Sequence, residues 1–387
     1  MATFFLVIIY LAFISLGLPD SLLGSAWPIM HLELNAPMSF AGIISMIVSG
    51  GTIVSSLSSG FLLSRFGTGK VTFVSVLMTA VALLGFSLSD SFLWLCVLAI
   101  PLGLGAGAVD SGLNSFVAAH YKARHMSWLH CFWGIGATCG PIIMAAWIAR
   151  SGQWRNGYLT VSLIQFALVL TLLFTLSLWK RFDRPAGLRS ADEAAAEVDT
   201  KARASLAPVL CSFLCYCSIE STTGIWGASY LVSLRGLDAS TAARWISMFY
   251  LGITVGRLLS GFVTIKLSGP KMIRLGEAFC AVGVLILMFA LPTWSAVVGL
   301  LFIGLGLAPV FPGMLHETPV RFGTLHAQRN MGYQMASAYV GSTFMPPIFG
   351  FVASRMSMAL LPFLQMGLLL AMTLCCEVTN RQMRQSK

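Results

Sequence analysis

Long apolar runs separated by short polar breaks recur along the whole chain and define its predicted elements. Because an α-helix rises ~1.5 Å per residue, about 20 apolar residues cross a bilayer core of ~30 Å. Runs of about this length occur twelve times, and we number them spans 1 to 12: 4–31, 39–63, 71–89, 92–119, 127–149, 156–179, 205–233, 240–265, 272–291, 295–320, 328–354 and 359–378. The pattern therefore predicts an all-α membrane protein with twelve transmembrane helices.

Composition agrees with lipid as the solvent. Hydrophobic residues make up 57% of the chain and charged residues only 10%, whereas soluble domains average roughly 25% charged residues. The chain also has no Gly-Lys-Ser/Thr phosphate loop, no His-Glu-x-x-His and no Gly-x-Ser-x-Gly motif. We therefore expect a protein that is not an enzyme and has no cofactor.

The loop cations predict the orientation in the membrane. Five lie in or next to loops after odd-numbered spans, and Arg257 is the one cation more than about four residues inside a span. The other eighteen lie after even-numbered spans or in the C-terminal tail: Arg65, Lys70, Lys122, Arg124, Lys180, Arg181, Arg184, Arg189, Lys201, Arg203, Lys266, Lys271, Arg274, Arg321, Arg329, Arg381, Arg384 and Lys387. By the positive-inside rule both termini are cytoplasmic, in an inner (plasma) membrane. The net charge of +10 therefore indicates topology and contact with lipid headgroups, not nucleic-acid binding.

The longest polar segment divides the spans six and six. We predict an N-terminal six-helix bundle over 1–180, a flexible cytoplasmic linker over 181–204, and a C-terminal six-helix bundle with a short tail over 205–387. A regulatory or docking role of the linker is the alternative. The nine cysteines almost all lie inside apolar runs, so we expect them to pack as small apolar residues and to bind no metal.

The two halves repeat one another. A shift of 200 places Asp20–Gly24 on Glu220–Gly224, and both segments read acid, serine, two residues, glycine. A shift of 201 places Gly103–Gly105 on Gly304–Gly306, and a shift of 205 places Gly136, Thr138 and Pro141 on Gly341, Thr343 and Pro346. Matches in this order predict parallel pseudo-repeats with a solute site near the midplane between them.

Three acids near the middle of spans are the first candidates for function. A charge at mid-bilayer costs at least ~2.5 kcal/mol and is rarely kept without a use. Asp20, Asp110 and Glu220 are therefore candidates to load and release a proton, although the same carboxylates suit sodium and a structural hydrogen bond is the alternative for each. Gly17 and Pro19 also predict an irregular helix just before Asp20.

Helical spacing adds candidate solute contacts. Asn114 follows Asp110 by four residues and Tyr216 precedes Glu220 by four, so each pair shares a helix face. Trp27 lies two turns beyond Asp20, either as a solute contact or as an interfacial anchor. Carboxylates, an amide and aromatic rings suit a sugar, because hydroxyls need paired hydrogen bonds and the apolar face of the sugar ring stacks on aromatic rings.

Four further polar or aromatic residues have open roles. His130 and Trp133 share a face of span 5, and both are candidate solute contacts. For His130 the alternatives are a proton relay and a histidine satisfied between helices. Trp226 is a candidate contact although its spacing turns it away from Glu220. We expect Arg257 to snorkel or to pair structurally rather than to bind an anion.

Two acids near basic helix ends are predicted to have a structural role. Glu277 lies near Arg274, and Glu317 lies near Arg321, with His316 beside it. We expect helix-end ion pairs there rather than a functional site.

The loop between spans 2 and 3 reads Gly60-Phe-Leu-Leu-Ser-Arg65-Phe-Gly67-Thr-Gly-Lys70. It resembles the signature loop of the major facilitator superfamily, and Arg257-Leu-Leu-Ser-Gly261 resembles its degenerate second copy. The resemblance implies a gating or conformational role for Gly60, Arg65, Gly67, Arg257 and Gly261. Ser64 stands where the family normally has an acid, so the gating ion pair of that acid is not expected here.

Three stretches further resemble the fucose-galactose-glucose:proton symporter group of that superfamily. They are Gly107–Asn114, Tyr216–Glu220 together with Trp226, and Ala308–Gly313. By this resemblance Asp20 and Asp110 serve proton coupling or sugar binding, and Asn114 contacts the sugar.

These observations predict a secondary transporter that takes up a monosaccharide or similar small polar solute by proton symport and alternating access. The expected partners are the solute, protons and the lipid bilayer, and the expected state is a monomer. Two alternatives stay open at this point. One is a proton-driven exporter of drugs or metabolites, which Gly140-Pro141 and the aromatic content favour. The other is a membrane receptor or scaffold that transports nothing.

Overall fold

The computed structural model describes residues 2–121, 123–179, 205–263, 267–289 and 291–385. Within these ranges the regular secondary structure is helical throughout. The fifteen helices are α1 (Ala2–Asp20), α2 (Leu22–Glu33), α3 (Phe40–Phe66), α4 (Thr68–Leu88), α5 (Phe92–His120), α6 (Ala123–Ser151), α7 (Arg155–Trp179), α8 (Leu206–Arg235), α9 (Ala239–Val263), α10 (Gly269–Met288), α11 (Ser295–Leu307), α12 (Val310–His316), α13 (Thr318–Phe322), α14 (Thr324–Arg355) and α15 (Leu360–Gln385).

The fifteen helices correspond to the twelve predicted spans. Span 1 is divided into α1 and α2, and span 10 into α11, α12 and α13, while each other span is one helix. Nine segments within the described ranges are by length and composition apolar enough to cross a membrane. The prediction of an all-α membrane protein with twelve transmembrane segments is confirmed.

The break in span 1 lies where the sequence predicts an irregularity. Pro19 is inside α1, which ends at Asp20, and α2 begins two residues later at Leu22. A proline has no N–H to donate and its ring crowds the preceding turn, which interrupts the helical hydrogen bonds. The repeat-related helix α8 continues through Glu220 without a break. Asp20 therefore ends a helix, whereas Glu220 lies within one.

The helix contacts repeat between the two halves. A Cβ built on Gly103 would lie 2.1 Å from the Val48 carbonyl oxygen, and one on Gly304 would lie 2.0 Å from the Phe249 carbonyl oxygen. The two glycines and the two carbonyls are each 201 residues apart in the chain, which is one of the shifts found in the sequence. A side chain at either glycine would collide with backbone, so these positions allow close helix packing. The pseudo-repeat is thus present in the packing as well as in the sequence.

The largest contacts between helices of the first and second halves, among the described residues, involve α2, α3 and α6. Helix α2 packs against α8 and α9, α3 packs against α14, and α6 packs against α9. The other large helix contacts join helices within α1–α7 or within α8–α15. The division into bundles 1–180 and 205–387 stays a prediction, and the predicted linker 181–204 lies outside the described residues.

Two close backbone contacts between the two halves lie toward the end of the molecule where α2 is followed by α3. A Cβ on Gly24 would lie 2.0 Å from the Gly224 carbonyl oxygen, and one on Gly42 would lie 2.4 Å from Pro347 Cα. We call this end the closed end. Gly24 and Gly224 are the repeat-related pair of the sequence, so the two halves meet there at equivalent positions.

Polar contacts tie the loops together at the closed end. Arg155 at the start of α7 forms an ion pair with Glu33 and donates hydrogen bonds to the Ser89 carbonyl and Asp90 carboxylate at 2.9 and 3.0 Å. Asp238 precedes α9 and accepts hydrogen bonds from the Thr241 backbone N–H and the Ser240 hydroxyl. These hydrogen bonds favour the charged carboxylate and hold the pKa of Asp238 below its usual range.

Candidate functional site

Four side chains form a continuous cluster in the interior of the helix bundle. Trp133 donates its indole N–H to the Asp20 carboxylate over 2.8 Å. The guanidinium carbon of Arg257 lies 5.0 Å from the centre of the Trp133 ring, within the range of a cation–π contact. A guanidinium nitrogen of Arg257 lies 3.8 Å from a Glu220 carboxylate oxygen. We call Asp20, Trp133, Glu220 and Arg257 the central cluster.

Backbone packing brings the central cluster together. A Cβ on Gly17 would lie 2.1 Å from the Trp133 carbonyl oxygen, so α1 and α6 approach closely one turn before Asp20. A Cβ on Gly134 would lie 2.3 Å from the Thr254 hydroxyl, so α6 and α9 approach closely beside Trp133 and Arg257. Residues without side chains thus place the two halves near enough for Trp133 to contact both Asp20 and Arg257.

The central cluster faces an internal space. Asp20 is exposed although its carboxylate is surrounded by groups from α5, α6, α8 and α9. The side chains of Arg257 and Glu220 retain 17% and 21% of their surface. A carboxylate that is accessible and yet enclosed by helices of both halves can receive ions or solute from water inside the protein.

A second polar pair lies on α5. The Asn114 amide donates to the Asp110 carboxylate over 2.9 Å, as the spacing of four residues predicts. The Asn114 carbonyl oxygen is buried without a hydrogen-bond partner among the described residues. Asp110 is also close enough to Asp20 for the two carboxylates to interact electrostatically. This pair offers a free acceptor to a hydroxyl group in the same region as the central cluster.

Three tyrosines complete the polar lining. Tyr216 is buried beside Glu220 and Arg257, and its hydroxyl forms no regular hydrogen bond with the described residues. Tyr250 interacts electrostatically with both Asp20 and Glu220, and Tyr339 of α14 lies beside Asp110. Sequence reasoning missed Tyr250 and Tyr339. Their signal was a phenol in the middle of an apolar helix, the same signal that singled out the acids.

Two predicted solute contacts lie in packed core instead. Trp27 is fully buried, and its indole N–H donates to the Met38 carbonyl over 2.7 Å. Trp226 is also fully buried and donates to the Pro346 carbonyl over 2.8 Å. Neither ring has an exposed face or an unpaired polar atom to offer a solute. The structure therefore removes both from the candidate contacts, and full burial also contradicts the alternative of Trp27 as an interfacial anchor.

His130 lies one turn from Trp133 at the edge of the cluster. Its ring meets the Phe13 ring edge to face, with centroids 6.0 Å apart, and Arg257 is near enough to act on its charge. The side chain is half-buried. His130 is thus placed next to the cluster without a direct contact to its acids.

Of the five residues with a predicted gating role, Arg257 belongs to the central cluster, and the surroundings of the other four are different. Arg65 stacks over the Phe61 and Phe66 rings at 5.9 and 5.7 Å, and the Ser64 hydroxyl donates to the Phe61 carbonyl. Gly67 joins α3 to α4 at φ 79°, a backbone angle that a residue with a side chain rarely adopts. Gly60 has open space around its Cα. Gly261 lies in α9, four residues beyond Arg257.

The two predicted helix-end ion pairs, Glu277 with Arg274 and Glu317 with Arg321, are absent among the described residues. Arg274 binds Glu377 of α15 through two hydrogen bonds of 2.5 and 2.7 Å, not Glu277 of its own helix. The Glu277 side chain is instead buried, with one carboxylate oxygen unpaired among the described residues. Helix α15 supplies a carboxylate in the orientation that the guanidinium fork prefers, and this partner is distant in sequence. No group of three metal-ligating side chains occurs in the part of the chain that is described.

Comparison with known proteins identifies the family. The profile of the Major Facilitator Superfamily matches residues 9–346. The chain belongs to the major facilitator superfamily. It is therefore a multi-pass membrane transporter, which agrees with the expectation that it is not an enzyme.

Individual relatives of this transporter are distant. It is 24% identical to the glucose/mannose transporter GlcP of Bacillus subtilis over 78% of its own length and 77% of that protein. It is 21% identical to the cis,cis-muconate transport protein of Acinetobacter baylyi over 92% and 89% of the two chains. A crystal structure of a D-xylose-proton symporter matches with a TM-score of 0.73 and 13% identity over 96% of both chains. The structural likeness shows the shared fold.

Proposed function

We propose that this transporter takes up a monosaccharide or a similar small polar solute by proton symport, with alternating access between its two halves. The observation that carries the proposal is the central cluster, in which Asp20 is accessible inside the bundle and is linked through Trp133 and Arg257 to Glu220. A cluster that spans both halves changes its contacts whenever the halves move relative to one another. Proton binding at Asp20 can therefore be coupled to that movement.

The remaining lining fits a small polar solute. The Asn114 carbonyl oxygen accepts and the Tyr216 hydroxyl accepts or donates, and both are unpaired among the described residues. Two relatives are named for small polar solutes, namely glucose or mannose and cis,cis-muconate. These features support the transport of a compact, hydrogen-bonding molecule.

We place the protein in the plasma membrane with both termini in the cytoplasm. The majority of loop cations then lie on the cytoplasmic side. The closed end faces outward, and Asp20 is accessible from the cytoplasm. Asp20, Asp110 and Glu220 are the proposed coupling residues, and the protein acts as a monomer.

Uptake into proteoliposomes tests the function. The purified transporter is offered neutral and acidic labelled sugars with an inward proton gradient, an inward sodium gradient, or neither. We expect uptake that depends on the proton gradient and that Asp20→Asn or Asp110→Asn reduces to the gradient-independent level. Asp90→Asn, an exposed acid at the closed end, is the matched control and should retain uptake.

Three results would redirect the proposal. Uptake driven only by the sodium gradient would show that the coupling ion is sodium and not the proton. Efflux of amphipathic compounds without sugar uptake would favour the exporter. Gly140-Pro141 is weaker evidence for an exporter than the sequence suggested, because Gly140 packs closely against the Leu18 carbonyl and so has a structural role. Absence of all flux would favour a receptor or scaffold.

A further inference from the structure

Arg257 lies in the central cluster with few hydrogen-bond acceptors near its guanidinium. The Glu220 oxygen at 3.8 Å is beyond hydrogen-bond length, and the Trp133 contact engages the flat face of the guanidinium. The Tyr216 hydroxyl lies beside the guanidinium, and no carboxylate or carbonyl oxygen of the described residues accepts a hydrogen bond of regular length from Arg257. The side chain retains 17% of its surface. The edge of the guanidinium carries five N–H groups, so most of these donors lack an oxygen acceptor at hydrogen-bond length among the described residues.

Other arginines of this protein are held differently. Arg155 and Arg235 donate two or more hydrogen bonds of 2.9 to 3.2 Å to carbonyl or carboxylate oxygens, and Arg274 binds Glu377 through two nitrogens of its guanidinium. These three have a structural role that their bonding explains. Arg257 lies deeper in the bundle, where an unbonded charge costs more, and has fewer bonds.

We propose that Arg257 is the anchor for a carboxylate on the transported solute, which is a polyhydroxylated monocarboxylate such as a uronic or aldonic acid. The proposal rests on the proposed function and narrows its solute class. A carboxylate matches the guanidinium edge with two parallel hydrogen bonds, a geometry that a neutral hydroxyl cannot reproduce. The hydroxyl groups of the same solute would meet Tyr216 and the free Asn114 oxygen.

The surrounding charges explain how an anion is accepted near three acids. Arg257 faces Glu220 from the next helix, while Trp133 separates it from Asp20. A solute carboxylate that binds the guanidinium edge displaces Glu220. The contact of Glu220 with Arg257 is long, at 3.8 Å, and therefore weak. The solute is then paired with Arg257, and the charge of Glu220 is released for the coupling step.

The test compares two solutes that differ only at the relevant group. D-glucuronate carries a carboxylate where D-glucose carries a hydroxymethyl group, and a panel of other uronates, aldonates and neutral hexoses extends the comparison. Uptake and competition are measured in proteoliposomes at fixed pH and gradient. We expect at least one carboxylate solute to be preferred at least tenfold over its neutral counterpart.

Variants of Arg257 identify the anchor. Arg257→Gln should lower the ratio of carboxylate uptake to neutral-solute uptake at least tenfold. Arg257→Lys should retain part of this preference, because lysine keeps the positive charge but lacks the two parallel N–H donors of a guanidinium. Arg244→Gln changes an exposed arginine of the same helix and should keep the preference. Elution as a single detergent-solubilised species and thermal unfolding identify folded variants, and Arg257→Lys carries the test if Arg257→Gln does not fold.

The outcomes separate this inference from the proposed function. Uptake of neutral sugars with no carboxylate transported would overturn the inference and leave the proposed function intact. Carboxylate uptake that Arg257→Gln and Arg257→Lys leave unchanged would show that the anchor lies elsewhere. No uptake of either class would overturn both.

Discussion

Trp133 makes two contacts that a simpler side chain could not make together. Its indole N–H reaches Asp20, while its ring face lies under the guanidinium of Arg257. A single residue of the first half thus contacts an acid of its own half and a cation of the other half. We therefore expect Trp133 to carry the movement of the halves to the proposed proton site.

Trp133→Phe separates the two contacts, because phenylalanine keeps a ring for Arg257 but has no N–H for Asp20. Hydrogen bonds to charged groups contribute about 1.5–3 kcal/mol, and about 1.4 kcal/mol corresponds to a tenfold change in an equilibrium. We expect gradient-driven uptake to fall by about tenfold while the protein stays folded. Uptake in proteoliposomes and thermal unfolding in detergent measure the two effects.

The matched control is Trp94→Phe, which changes an exposed tryptophan of α5. It should leave uptake near the wild-type level. If Trp133→Phe transports as well as Trp94→Phe, the hydrogen bond to Asp20 has no part in coupling.

At the scale of helices, glycines decide how closely the two halves meet. Gly24 and Gly224 are related by the repeat and touch at the closed end, where α2 crosses α8. Glycine is required there because the Gly224 carbonyl occupies the position of a Cβ on Gly24. The closed end can therefore form only while this position stays without a side chain.

Gly24→Ala should hinder closure of that end. Overpacking costs typically ~1–3 kcal/mol, and here the cost falls on the closed state alone, since separated halves leave room for a methyl group. We expect uptake to fall about tenfold and the closed end to become more accessible to a thiol reagent at a cysteine introduced in place of Leu34. Gly50→Ala is the control, because no atom lies within 4 Å of a Cβ at Gly50. Equal uptake and labelling in the two variants would contradict the role of the Gly24 contact.

For the whole molecule, the distribution of loop cations predicts that both termini share the cytoplasmic side. The reason is that positively charged loops are retained on that side during insertion. A green fluorescent protein fused to the C-terminus should fluoresce, and alkaline phosphatase fused there should be inactive. Alkaline phosphatase fused after Asp90, at the closed end, should be active. The reverse pattern would invert the proposed orientation and would make the structure open outward.

Much of the fold was predictable because its signals are local. The apolar runs gave twelve spans whose bounds differ from those of the helices by a few residues, and Gly17 with Pro19 correctly predicted the break at Asp20. The pairing of Asp110 with Asn114 followed from a spacing of four residues on one helix. Each of these features depends on residues close together in the chain.

The long-range contacts were less predictable. Trp27 and Trp226 lie in the same predicted spans as Asp20 and Glu220 but pack into the core, because neighbouring helices cover their faces. Arg274 pairs with Glu377, which is 103 residues away. Spacing along one helix does not specify which neighbour covers a given face, so these assignments were wrong or incomplete.

By itself the sequence determined the membrane as solvent, the number of spans, the internal repeat and the three acids that lie within apolar spans. These follow from hydrophobic transfer and from the cost of placing charge in lipid, both of which act residue by residue. Only the tertiary structure decided that Trp133 joins Asp20 to Arg257 and that Glu220 contacts Arg257 at a distance beyond hydrogen-bond length. Those contacts depend on the rotation and spacing of helices from both halves, which are set by packing among residues far apart in the chain.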